Sequence, residues 1–174
     1  MEREVDLREG NISLVLNSYN DLFSDFDPRK YSERALSDDF LIECKRAARD
    51  KDIGVELRLL IPRKKRNLKD EEEINRRLKN HFHKHFKEKE SEIKSIKREG
   101  ILWCILGTIF ILIAAFLFTK KGYLFNVLVV LLEPAGWFSF WEGLGKIFIV
   151  SKERNPDFDF YKKMSSAEIS FNNY

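Results

Sequence analysis

The chain offers little sulfur chemistry. It has two cysteines, Cys44 and Cys104, with no CxxC pair between them. That spacing excludes a dithiol redox motif. Cys44 falls in a stretch with soluble-helix spacing and Cys104 in an apolar run, so a disulfide between them is not expected. Nucleotide and hydrolase signatures are missing too. No Walker-A loop, GxGxxG or GxSxG occurs, and Cys104 is too deep in the apolar run to form a Cys/His dyad. The opening residues MEREVDLREGN contain no apolar h-region, so the first apolar span is expected to act as the insertion signal. Charge of one sign is also scarce. Lys and Arg number 31 against 28 Asp and Glu, for a net charge of +3, and the signs are interleaved. No nucleic-acid partner is expected from that pattern. The basic segment Arg63-Lys64-Lys65-Arg66 is short and soon followed by acids, which suits a solvated linker, with contact to anionic lipid as the alternative. No enzymatic activity, cofactor or bound metal is expected from these absences.

Two apolar runs dominate what is present. Ile101–Phe118 reads ILWCILGTIFILIAAFLF without a single charge, and its eighteen residues reach about 27 Å, enough to span a bilayer. Thr119-Lys120-Lys121-Gly122 makes a turn. Tyr123 then opens a second run, YLFNVLVVLLEPAGWFSFWEGLGKIFIV, with Glu133 near its centre. Lys87, Lys89, Lys94, Lys97 and Arg98 precede the first run, and Lys146, Lys152 and Arg154 follow the Trp141 end of the second. Two lysines in the turn do not match that excess, so both termini are expected in the cytoplasm, on a multi-pass protein of the inner (cytoplasmic) membrane.

The polar flanks carry their own patterns. Glu2–Arg8 alternates, Gly10-Asn11 is a turn signal, and Ile12–Leu16 is β-rich, together a hairpin pattern. Asn17–Tyr31 is a loop whose Tyr19, Leu22, Phe23 and Phe26 are too apolar for a solvated segment, so it is expected to pack back on the domain. Ser37-Asp38-Asp39 supplies an N-cap and an acidic first turn for a helix running to about Asp50. Ile53-Gly54 should end it, before a strand at Val55–Ile61. A strand, helix, strand order is a βαβ unit with parallel strands. From Asp70 a helix of about thirty residues is predicted, with Ile74, Leu78, Phe82, Phe86, Ile93 and Ile96 in a narrow stripe that suits a coiled-coil-like stalk. In the tail, Phe158, Tyr161 and Met164 fit a short helix, and residues 167–171 alternate as a strand that would join the N-terminal sheet.

The expected fold is thus membrane α+β: a two-helix transmembrane hairpin, a small cytoplasmic α/β domain built on the βαβ unit plus a C-terminal strand, and a long helix leading into the first span. The expected divisions are 1–69 for the α/β domain, 70–100 for the connecting helix, 101–150 for the hairpin with spans at about 101–119 and 123–142, and 151–174 for the tail. The segments NSYNDLFSDFDPRKYSERALSDDF, LRLLIP and LLEPAGWFSFWEGL resemble a family of small prokaryotic two-span membrane proteins with no assigned activity. The resemblance covers nearly the whole chain. It implies this same topology and assigns no catalytic residue.

Glu133 carries the sharpest chemical demand. About ten residues into its span, an ionised carboxylate costs at least ~2.5 kcal/mol. It must be neutral, paired, or turned to a protein or aqueous interior. Pro134 removes the donor for the Val130 carbonyl, and Asn126 lies seven residues earlier on nearly the same face. An Asn126–Glu133 stripe fits a contact with a neighbouring helix, with Pro134 setting a packing kink, or a cation or proton site on an oligomer axis. Glu142 lies half a turn round from Glu133, beside the headgroup-seeking rings of Trp137 and Trp141, and should pair with Lys146. Asp21, Asp25 and Asp27 form a possible cation-binding loop, although turn and cap roles are commoner for such residues. His81, His83 and His85 are expected as helix-surface histidines.

A small sheet with open edges and a hairpin with an intramembrane carboxylate are both incomplete alone. Self-association completes both. The expected partners are therefore membrane lipid, further copies of the chain and an unidentified cytoplasmic protein. The expected role is an oligomeric scaffold or signalling protein. The alternative is an oligomeric ion channel or transporter-like protein with Glu133 near the axis.

Overall fold

The computed structural model describes residues 11–49 and 55–174. The expected strand at Glu2–Arg8 and the helix end at Ile53-Gly54 lie outside them. The chain forms two compact units. One joins the residues up to Lys87 with Asp157–Tyr174, and the other is Glu88–Pro156. The first is a small α/β unit, and the second a pair of apolar helices.

The α/β unit is built on three parallel strands. These are β1 (Asn11–Val15), β2 (Glu56–Ile61) and β3 (Glu168–Asn173), in the order β1-β2-β3. Ile12 stands beside Leu57 and Leu57 beside Ile169, while Leu14 stands beside Leu59 and Leu59 beside Phe171. That register gathers Ile12, Leu14, Leu57, Leu59, Ile169 and Phe171 onto one face. The βαβ expectation is met, and the tail strand joins the sheet as its alternation predicted. Helix α1 (Asp38–Ala48) connects β1 to β2 and buries Phe40, Cys44 and Ala48. Ser37 holds the N-cap position in extended backbone, and Asp38 and Asp39 place negative charge in the first turn, where the helix dipole favours it.

The loop after β1 packs back on the unit, because Tyr19, Leu22 and Phe23 are all buried. Phe26 does the opposite and is 98% exposed. Its neighbours fold the loop onto itself instead: Ser24 N–H donates to the Ala35 carbonyl, and Phe23 bridges to Leu36.

Helix α2 runs from Leu68 to Phe118, 51 residues without a break at Gly100. Its first part belongs to the α/β core. Ile74, Leu78 and Phe82, one turn apart, are fully buried there, and Phe82 meets Phe160 edge-on at 6.1 Å. The stripe expected to serve a stalk is thus used by the chain's own domain up to Phe82, and the division between units falls at Lys87–Glu88, not near residue 70. Charges on the other faces hid this, because a narrow apolar stripe serves a sheet as well as a coiled coil.

Helix α3 (Tyr123–Gly145) follows a turn closed by Gly122, whose φ of 138° is open to glycine and costly for other residues. It continues through Pro134 as helix and passes into a π-helical segment, Lys146–Val150. The helical rod therefore continues past residue 142 through the apolar stretch that ends at Val150. A single turn, α4 (Ser151–Glu153), leads to α5 (Asn155–Ser165), which buries Phe160 and Met164.

Candidate functional site

Among the described residues, two helices are long and apolar enough to cross a membrane, α2 and the rod Tyr123–Glu153, and only 11% of each apolar window is buried within the chain. They meet along a seam of small residues. A Cβ on Gly107 would lie 2.5 Å from Phe140 N and 2.7 Å from the Gly136 carbonyl. A Cβ on Gly143 would lie 2.5 Å from both Cys104 Sγ and the Gly100 carbonyl. Only glycine permits backbones this close, as in small-residue packing of membrane helices. Ser139 is buried in the seam and returns its hydroxyl to the Ala135 carbonyl at 2.8 Å. Sequence reasoning passed over this seam. Its signal was present in the pairs Gly100/Gly107 and Gly136/Gly143, each seven residues apart.

Glu133 is not in the seam. Gly136, Ser139 and Gly143 define the seam face of α3, and Glu133 lies about 80° round the helix from it. Asn126, Glu133, Pro134, Trp137 and Trp141 are all exposed. The turn of α3 places Asn126, Val130, Glu133, Trp137 and Trp141 on one flank, and Leu124, Leu131, Phe138 and Glu142 on another. Beside the Glu133 flank runs an open groove of about 210 Å³ between the helices. Ile111, Ala114, Ala115, Val129, Glu133 and Trp137 line it. Ala114 and Ala115 leave the space that Glu133 and Trp137 border.

At the other end of α3, Trp137 and Trp141 lie near-parallel with centroids 6.5 Å apart. Lys146 Nζ reaches Glu142 at 4.0 Å and Glu99 of α2 at 3.5 Å. The expected i,i+4 pair is present, and it also ties the two helices together.

The acidic loop does not assemble a cation site. The Asp21 carboxylate accepts from Asn17 N–H at 2.7 Å and from Ser18 N–H, capping the 3-10 turn Tyr19–Leu22. Asp27 takes Arg29 Nε at 2.9 Å, Arg29 Nη2 at 2.8 Å and Ala35 N–H at 2.7 Å. The hydrogen bonds from Arg29, then that from Ala35, hold its carboxyl well below the usual carboxylate range. Asp25 points to solvent, with Arg34 3.9 Å away. Three carboxylates used in three different directions cannot share an ion, and no group of three or more His, Cys, Asp or Glu poised to hold one exists among the described residues.

The histidines split as their spacing implied. His81 and His85 lie on one face with centroids 4.3 Å apart, and His83 is exposed. His81 is part-buried, however. It packs near Tyr161 of α5, and its Nε2 is buried without a hydrogen-bond partner among the described residues. Burial, then the charges of His85, Arg77 and Lys84, push its pKa down to about 4.

A buried network was also missed. Tyr19 Oη donates to Glu71 Oε1 at 2.8 Å and accepts from Asn67 N–H at 2.9 Å. Arg66 donates Nε and Nη2 to the two oxygens of Glu71 at 2.8 and 2.7 Å, and its Nη1 reaches Asn173 Oδ1 at 2.7 Å. Burial, with the Glu71 charge, pushes the Tyr19 hydroxyl up to about 12. Burial would raise Glu71, but the donors Arg66 and Tyr19 outweigh it and hold its carboxyl low. Both shifts keep the proton on Tyr19. In the sequence Glu71 is one of several acids in a helix's first turn, so nothing local marks it.

Comparison with protein-family models, curated proteins and solved structures returned no match.

Proposed function

We propose that this is an oligomeric integral membrane protein of the scaffold or signalling type, with its α/β domain and both termini on the cytoplasmic side of the cell membrane. The observation that carries it is the position of Glu133. A carboxyl group at the depth of a bilayer centre lies off the glycine seam, bordering the open groove between the helices on an exposed flank of α3. Hydrocarbon offers it no hydrogen bond, so a protein surface must. Topology supports one sidedness. Strands from before and after the two apolar helices share one sheet, which a membrane cannot divide. The Lys and Arg excess flanking the spans supports the cytoplasmic side. An unidentified cytoplasmic protein is the partner this domain would serve, and no catalysis is part of this role.

The mass of the purified full chain in lipid nanodiscs tests the association, with a multiple of 20.7 kDa expected. A strictly monomeric particle at all protein-to-lipid ratios would refute it. Labelling of single cysteines placed at Lys121 and Ser166 by an impermeant maleimide, in intact and opened cells, tests the sidedness.

One observation favours a second reading. Asn126 and Glu133 share an exposed flank, the arrangement that would line the axis of an ion-conducting oligomer. Conductance in reconstituted bilayers, wild type against Glu133→Gln, separates the two: current lost in the variant supports the channel, and none from either protein removes it.

A further inference from the structure

We infer that α3 packs against α3 of a second copy across a two-fold axis, through the flank Asn126, Val130, Glu133, Trp137 and Trp141. This rests on the proposed self-association and names its surface and partner. Three observations converge on that flank.

The first is hydrogen-bonding need. Glu133 stands about 15 Å along α3 from Tyr123, half of a roughly 30 Å hydrocarbon core, where lipid headgroups do not reach. One turn away on the same flank, the Val130 carbonyl lacks its usual donor, because residue 134 is proline. The Glu133-Pro134 step therefore presents one carboxyl and one spare acceptor within a single turn.

The second is self-complementarity. Across a two-fold axis a surface meets itself. A neutral carboxyl group donates and accepts, so Glu133 of each copy can serve Glu133 or the Val130 carbonyl of the other. The Asn126 amide likewise both donates and accepts. A flank with a lysine or arginine would repel its own copy. This one has none between Asn126 and Trp141.

The third is shape. The groove of about 210 Å³ opens on this flank, with Ala114 and Ala115 in its wall, and gives room for a ring or branched side chain from a facing helix. The flank with Leu124, Leu131 and Phe138 is as exposed, and its one carboxylate, Glu142, is paired with Lys146. Lipid tails satisfy it.

Oxidative cross-linking of the full chain in native membranes tests the surface. Single cysteines go in at Val130 and Leu131, which are 68% and 63% exposed, and at Trp137 and Phe138, which are 52% and 67% exposed. Each pair matches in exposure and differs by about 100° in direction. The wild-type chain, whose Cys104 lies at the seam, sets the background. Dimer is expected from Val130→Cys and Trp137→Cys, and background levels from Leu131→Cys and Phe138→Cys. Glu133→Leu should weaken association roughly 3- to 20-fold, the range of an intramembrane hydrogen bond, while Glu133→Gln, which keeps donor and acceptor, should restore most of it. Equal or reversed cross-linking in a chain that is still oligomeric overturns this interface and leaves self-association standing. A monomer throughout overturns both.

Discussion

Removing the Glu71 carboxylate should open the α/β unit far more than its place in a helix's first turn suggests. Glu71 is 7% exposed and accepts three hydrogen bonds, one from Tyr19 and two from Arg66. Glu71→Ala leaves the Tyr19 hydroxyl without its acceptor, and leaves Arg66 with only its Nη1 bond to Asn173. Breaking a buried ion pair from one side costs roughly 3–5 kcal/mol. The Arg66 side chain is a quarter exposed, so water recovers part of that, and about 2–4 kcal/mol remains. Cys44 is a natural reporter. It has no exposed surface, and burial, with a smaller contribution from Glu43, pushes its thiol up to about 12, so it reacts only when the unit opens. Native-state alkylation of Cys44, followed by mass spectrometry, should accelerate roughly 30- to 700-fold in Glu71→Ala. Tyr19→Phe alone should cost about 1–2 kcal/mol, and less in the Glu71→Ala background, because the shared bond is already gone. Acceleration of less than about threefold, or strictly additive effects, would refute the network's role.

The seam gives a paired prediction. Gly143→Ala should destabilise the hairpin by about 1–3 kcal/mol, because its methyl would meet Cys104 and the Gly100 backbone, while Gly145→Ala, with nothing within 4 Å, should be near neutral. The fluorescence of Trp103, Trp137 and Trp141, all on the two helices, reads the unfolding in mixed micelles. A pH prediction follows from His81. Its folded pKa near 4 lies below the unfolded value, so the unfolded state binds the proton first. Stability is then full above about pH 6.5 and declines as pH falls toward 4, by about 1 kcal/mol after allowing for its partial exposure. The pH slope of Cys44 alkylation, compared with His81→Phe, checks it, and an unchanged slope in that variant would count against the assignment. Phe26 and Phe23 supply a contrast three residues apart. Phe26→Ser should change stability by less than about 0.5 kcal/mol, and Phe23→Ala should cost about 3–5 kcal/mol, both read by thermal denaturation followed by circular dichroism.

Local pattern by itself determined much of this protein. An uncharged run at Ile101–Phe118 can only be a helix in hydrocarbon or in a core, and Ile12–Leu16 and Val55–Ile61 on either side of a capped helix specify parallel strands. Such features depend on period, length and caps, which are properties of neighbouring residues. The chemical oddity of Glu133 was likewise readable, because its position within an apolar run sets its demand for a partner. Only tertiary structure decided where the demands are met. Ile74, Leu78 and Phe82 turned out to pack into the core of their own domain, and no stripe can specify its partner. Asp21 and Asp27 found backbone N–H groups and Arg29, so a cluster in sequence became separate caps in space. Glu71, Tyr19 and Arg66 came together from segments far apart in the chain. Glu133 was set about 80° away from the glycine seam, on an exposed flank beside the groove between the helices, and its carboxyl group is left there needing a neighbour. Sequence states which groups cannot be left unsatisfied, and packing chooses the direction in which each is turned.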